Sequence, residues 1–299
     1  MQNMIREFEK MDELTAKRLA VIRHLFEKGM AISFEGEPLN GLCLLPFHDS
    51  VEMFMKLCAD VKGVTVSRDT MFAKYYDLLP DLQDKNQMLS LNARRVSLKH
   101  HGQMPSSLDV EITRVNVIDF YTHNVPVFFG CKLEEVSLEV LIVYPSVREF
   151  LRKFNEAFKE GKYGTAQSYC KMAFKEFLIC YHEQRNRCLT LDDAPGKNAR
   201  YLNKLKFEHN VDKYLEDLKE DVLKINEAIT VMNLGINYFQ YDEFMNHGVY
   251  MNYWPDEEGE KRYDCYVGDE ANYDKEKIMK FYKFVMDNAL RLQGKDMFA

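Results

Sequence analysis

Residues 49–61 read Asp49-Ser-Val-Glu-Met-Phe-Met-Lys-Leu-Cys-Ala-Asp-Val61, with Val51, Phe54, Met55, Cys58 and Val61 recurring at i, i+3, i+4, i+7 and i+10. That spacing lays one apolar stripe on a helical period and predicts an amphipathic α-helix. Asp49 reads as its N-cap and Glu52 as the capping-box partner three residues on. His48, four residues before Glu52, then falls in the loop ahead of the cap.

Working outward, the same period recurs along most of the chain. Ile5, Phe8, Met11, Leu14, Ile22 and Leu25 are in helical phase within 4–28. A helix is expected over about 85–101, where Lys99, His100 and His101 meet the negative end of the dipole. Gly102 suits the left-handed position after it, and Pro105 stops any continuation. Helices over about 146–160 and 165–184, joined by Gly161-Lys-Tyr-Gly164, read as one antiparallel hairpin. Val211, Leu215, Leu218, Val222, Ile225, Ile229 and Met232 alternate by four and three residues, the seam of a bundle helix or of a dimer. A last helix over about 273–292 turns Ile278, Met279, Tyr282, Val285 and Leu292 inward.

Between these lies 106–146, rich in β-branched residues (Val115, Val117, Ile118, Val125, Val127 and Leu138-Glu-Val-Leu-Ile-Val143), where a small β-hairpin is expected. The chain therefore reads as mainly all-α: a helical core over 1–105, an irregular or β insertion over 106–146, and a C-terminal helical lobe over 147–299.

Composition narrows the function classes. The 299 residues carry 40 Lys+Arg and 47 Asp+Glu, a net charge of −7, which argues against a protein that coats nucleic acid indiscriminately. Hydrophobic residues at 46% with only 14 Gly and 8 Pro exclude a disordered or low-complexity chain. No apolar run is long enough for a membrane span, and the charged N-terminal residues do not make a signal peptide, so a cytoplasmic protein is expected. The seven cysteines include no C-x-x-C pair and read as buried thiols in a reducing compartment. Zinc spacing, the P-loop, the dinucleotide fingerprint, the nucleophile elbow and H-E-x-x-H are all absent, and no metal or cofactor is expected.

One segment concentrates positive charge. From Lys85 to His101 there are four Lys/Arg (Lys85, Arg94, Arg95, Lys99), two histidines and no acid. Cleaving RNA without a metal needs a base for the 2′-hydroxyl, an acid for the leaving oxygen and a cation for the phosphorane-like charge. Histidine titrates near neutrality, and arginine stays charged and binds phosphate in a bidentate fork.

Arg95-Val-Ser-Leu-Lys-His100 fits an R-x4–6-H pattern, within the string Leu91-Asn-x-x-Arg-x-x-Leu-Lys-His-x-Gly-x-x-Pro105. Here the chain resembles the HEPN-domain proteins, all-α modules of prokaryotic toxin–antitoxin, abortive-infection and antiviral systems. The upstream helix with Glu52 is similar to that family's first core helix, and the resemblance covers roughly residues 40–105.

It implies a metal-independent endoribonuclease whose composite site forms where two protomers of a homodimer meet. Arg95 and His100 would be catalytic, Arg94, Lys99 and His101 would contact RNA phosphates, and Glu52 would orient Arg95. An antitoxin or defence-complex protein would be a further partner. Members of the family usually place Asn, Asp or His directly after the motif arginine, whereas this chain has Val96. That departure keeps open a non-catalytic interaction subunit.

Plainer readings stand beside these. His100 and His101 also serve as helix C-terminal charge, and Arg94 and Arg95 as partners in surface ion pairs. Lys197, Arg200, Lys204 and Lys206 form either a solvated loop face or an extension of an RNA groove. Trp254, Tyr241, Tyr250 and Tyr253 either pack on the bundle or stack on bases.

Overall fold

The computed structural model describes residues 12–67, 69–185, 227–255 and 261–294, together with the single positions Tyr214, Leu215, Leu218, Val222 and Ile225. The chain forms two compact units, residues 1–141 and 142–299. It is mainly α-helical, as the periodicity predicts.

In the first unit, helix α1 (Glu13–Ser33) is capped by Asp12, which accepts a hydrogen bond from the Thr15 amide. It lies along α2 (Leu44–Val61) at very close range. A β-carbon on Gly29 would stand 2.5 Å from the Phe47 ring, so only glycine permits the approach. A short helix α3 (Tyr75–Leu78) leads to α4 (Lys85–His101), and α5 (Ser107–Phe129) returns beside it. Helix α4 ends as its sequence predicts, with Gly102 at φ 65° and its amide bonded to the Leu98 carbonyl. At the centre of the unit Phe54 is fully buried among Phe120, Tyr121, Phe128 and Phe129, at centroid distances of 5.5, 5.5, 6.3 and 5.7 Å.

Three expectations are corrected here. Residues 106–146 form no hairpin: helix α5 occupies 107–129, and Leu133–Glu135 and Glu139–Leu141 are 3₁₀ turns. Val110, Thr113, Val117, Phe120, Asn124 and Phe128 recur every three or four residues on its buried face. That stripe, with the Ser106–Asp109 capping box, outweighs the modest preference of β-branched residues for strands. Helix α2 begins at Leu44 and not at Asp49, with Pro46 in the first turn, where a missing N–H costs nothing. Asp49 is therefore no N-cap and Glu52 no capping-box residue, and His48 lies within the helix.

The first helix spans Glu13–Ser33, and Leu14, expected inward, is 65% exposed. Ile5, Phe8 and Met11 lie outside the described residues, as do Val211, Cys188, the basic stretch 197–206 and the Trp254 side chain.

In the second unit α6 (Pro145–Lys159) and α7 (Tyr163–Arg185) form the expected antiparallel hairpin. Helix α8 (Tyr238–Asn246) precedes the one sheet among the described residues, β1 (Tyr250–Pro255) paired antiparallel with β2 (Lys261–Tyr266). Helix α9 (Lys275–Leu292) buries Ile278, Tyr282, Val285 and Leu292 as expected, whereas Met279 is exposed. Tyr241 packs against Phe174, and Tyr253 pairs with Tyr263 across the hairpin. Residues 227–233 are helical, with Val231 buried and Met232 exposed.

Two buried charges tie this unit together. Lys171, 1% exposed, donates to the carbonyls of Met245 (2.7 Å), His247 (3.0 Å) and Val249, fastening α7 to the chain between α8 and β1. Glu176, 4% exposed, accepts from Ser146 Oγ (2.8 Å), Lys261 Nζ (2.9 Å) and Tyr263 Oη (2.7 Å), joining α7 to α6 and β2. Burial pushes the Glu176 carboxyl up, but the bonds from Tyr263, Lys261 and Ser146 outweigh it and hold it below the usual range. A carboxyl depressed in the folded state contributes stability above its unfolded value of about 4.3, and that contribution is lost as pH falls through the folded value.

We therefore expect Glu176→Ala to cost about 2–4 kcal/mol at pH 7 in a urea titration followed by circular dichroism. Glu176→Gln is expected to remove part of the wild-type loss of stability below about pH 4.3.

Candidate functional site

Helix α4 presents two differently treated arginines. Met88 and Leu91 anchor it in the core of the first unit. Arg94 turns toward α5, where its Nε donates to Asp109 Oδ1 (3.1 Å) and its Nη1 to Ser90 Oγ (2.9 Å) and Thr113 Oγ1 (3.4 Å). Asp109 is also the capping-box residue of α5, so Arg94 braces the α4–α5 pair. Arg95 turns toward α2. Its Nε is buried without a hydrogen-bond partner, and the guanidinium makes no ion pair among the described residues.

The α2 face that Arg95 meets carries His48, Glu52 and Lys56, one helical turn apart. His48 is 4% exposed and stacks on Phe72, with centroids 5.0 Å apart and planes at 24°. Its Nε2 is 3.0 Å from Asn92 Oδ1, which only accepts, so in the neutral ring Nε2 carries the proton and Nδ1 presents a lone pair. Nδ1 stands 3.5 Å from Asp49 Oδ1 and 3.9 Å from Glu52 Oε2, and no hydrogen bond reaches it. Burial, and then the charge of Arg95, hold this imidazole below the usual histidine range, against the weaker pull of Asn92 and Glu52.

Glu52 joins the cluster through Lys56 Nζ at 2.6 Å. Burial pushes its carboxyl up, and Lys56, with smaller help from His48 and Arg95, brings it below the usual value. The buried hydroxyl of Tyr75, on α3, is pushed up by burial and lies within the field of Lys56 and Glu52. It too has no hydrogen-bond partner. Three unpaired buried polar atoms, His48 Nδ1, Arg95 Nε and Tyr75 Oη, therefore belong to residues within the electrostatic reach of Glu52. Unpaired buried polar groups are costly and gather where function holds them.

The structure thus brings together Arg95 and Glu52 and adds His48, Asn92, Lys56 and Tyr75, which the motif does not name. Lys99 follows Arg95 on the same helix face and is exposed. His100 and His101 lie exposed in the last turn. On an ideal helix His100 is rotated about 140° from Arg95 and displaced about 7.5 Å along the axis, so the two diverge within one chain. The one sequence signal for the added histidine is the four-residue spacing of His48 and Glu52, which a helix starting at Asp49 conceals.

Among the described residues no group of three or more His, Cys, Asp or Glu side chains is placed to hold a metal ion. No described helix is long and apolar enough to cross a membrane. Cys43, Cys58, Cys131 and Cys170 are free and buried, and burial pushes their thiols up, to about 11 for Cys43 and Cys131. Comparison of the chain with protein-family models, with curated proteins and with solved structures finds no match.

The two arginines should separate in a stability measurement. Arg94→Ala is expected to cost about 1–2 kcal/mol in a urea titration, because it removes three hydrogen bonds and a brace between helices. Arg95→Ala is expected to change stability by less than about 0.5 kcal/mol, because the guanidinium has no hydrogen bond to lose.

Proposed function

We propose that this chain is a metal-independent, HEPN-like endoribonuclease of prokaryotic defence or toxin–antitoxin type. The observation that carries the reading is Arg95: a permanently charged fork, held beside a histidine and a carboxylate, with no ion-pair partner among the described residues. A guanidinium in that state suits a phosphodiester, whose two oxygens fit its geometry.

In the reaction proposed, the 2′-hydroxyl attacks the adjacent phosphorus and gives its proton to a base. The P–O5′ bond breaks, and an acid protonates the departing O5′, leaving a 2′,3′-cyclic phosphate. Arg95 neutralises the charge that builds on the non-bridging oxygens. Lys99, one turn on along the same face, would bind a neighbouring phosphate, and His100 supplies acid–base chemistry. Because Arg95 and His100 diverge on one helix, the pair at one phosphate would come from two protomers, which supports a homodimer. Arg94, bonded to Asp109, would act as a brace rather than a phosphate contact.

A second reading is a non-catalytic subunit of a larger defence complex. It is favoured by Val96, where a polar residue would orient the pair, and by the absence of any hydrogen bond to His100 among the described residues.

Incubation of purified protein with mixed RNA in EDTA separates the two. Cleavage with cyclic-phosphate ends is expected, falling by about 10²–10⁴ in His100→Ala and in Arg95→Ala. Full activity in His100→Ala would overturn the catalytic assignment. Absence of cleavage, with stable capture of a partner protein, would establish the second reading.

A further inference from the structure

We propose that His48 is a positioning residue for Arg95: a neutral imidazole, locked between Phe72 and Asn92, that holds the guanidinium in its unpaired, phosphate-ready state. The coupling of the two side chains rests on the His48–Asn92 bond beside Arg95 and on the Arg95 charge felt at the ring, whereas its consequence for RNA rests on the ribonuclease reading above.

The ring has little freedom. It is 96% buried by its 4% exposure, stacked on Phe72 and hydrogen-bonded through Nε2 to Asn92, which lies one turn before Arg95 on α4. The His48–Asn92 bond therefore ties α2 to the very turn that carries Arg95. With Nε2 carrying the proton, Nδ1 offers only a lone pair toward Asp49 and Glu52, so it gains nothing from either carboxylate.

The charged and titratable groups around the ring are Asp49 and Glu52 on its own helix, with Lys56 behind Glu52, Arg95 on α4, and Tyr75 of α3 beside the Glu52–Lys56 pair. Protonation would reverse the arrangement. An imidazolium would repel the adjacent guanidinium, and its new Nδ1–H would draw in Asp49 and Glu52, loosening the Glu52–Lys56 pair. Neutral His48 is thus a condition for Arg95 to occupy its place with its donors unspent. The site is armed near neutral pH and disarmed as acid protonates the ring.

Two measurements on the full chain test this. In nitrogen-15 spectra of the histidine rings, with His48 assigned by its absence from His48→Gln, the ring should appear as the Nε2–H tautomer. It should titrate below the ordinary histidine value of about 6.5. Arg95→Gln should raise that midpoint, and an unchanged midpoint would overturn the coupling.

In the second, a fluorescein-labelled oligouridylate is bound at constant ionic strength. His48→Ala should weaken binding by about fivefold at neutral pH, and His48→Gln, whose amide can still donate to Asn92, should recover most of that loss. As pH falls from about 7.5 to about 5.5, the affinity of His48→Gln relative to wild type should rise, since glutamine cannot take the proton. Any pH dependence that the two proteins share cancels in the ratio. A ratio constant with pH would overturn the positioning role. If the wild type does not bind the oligonucleotide, the RNA reading fails, and the histidine spectra alone decide whether His48 and Arg95 are coupled.

Discussion

Helix α2 is held by one dense set of contacts, and the rest of the first unit is arranged around it. Phe47 lies against Gly29 of α1 with no room for a β-carbon between them, and Phe54 is enclosed by four rings of α5. These two contacts fix the rotation of α2 about its axis. Close-packed interiors tolerate little rotation, because each ring would have to leave its rotamer well. Once Phe47, Val51, Phe54 and Cys58 face inward, His48, Glu52 and Lys56 must run along the neighbouring edge, where α4 passes. The polar cluster is thus a by-product of the apolar stripe, and its geometry is as firm as the core beneath it.

That rigidity explains how the unit can keep unpaired polar atoms. His48 Nδ1, Arg95 Nε and Tyr75 Oη each forgo hydrogen bonds that water would supply. Such groups persist only where the surroundings over-determine their positions. The contrast with Arg94 is instructive, since it sits one residue away on the same helix and finds three acceptors. A hundred degrees of helix rotation separates an arginine that holds two helices together from one whose charge is left available.

The second unit uses buried charge differently. Lys171 and Glu176 both lie on α7, five residues apart, but each is satisfied by three partners from other elements. Fully bonded in this way, they specify where the chain after α8 and the strand β2 must dock rather than offering chemistry. Full satisfaction of these two charges, against the unpaired guanidinium and imidazole near Glu52, is the physical ground for seeking function in the first unit.

Much of this was legible in the amino-acid sequence. The apolar period of 51–61, the basic end and glycine stop of α4, and the α6–α7 hairpin follow from local rules: side chains every 3.6 residues, dipole charge and the left-handed tolerance of Gly102. The concentration of Arg95, Lys99 and His100 in an acidic chain was equally plain. Tertiary packing alone decided three things. It made a helix of the β-branched stretch 107–129, because burying a stripe around Phe54 outweighs strand propensity. It extended α2 back to Leu44, because Phe47 finds a seat against Gly29. In doing so it moved His48 from a loop into a buried place beside Arg95. Sequence specifies what a residue prefers among its neighbours along the chain; the partner that Arg95 meets lies 47 positions away in His48, and only the closing of α4 onto α2 could bring it there.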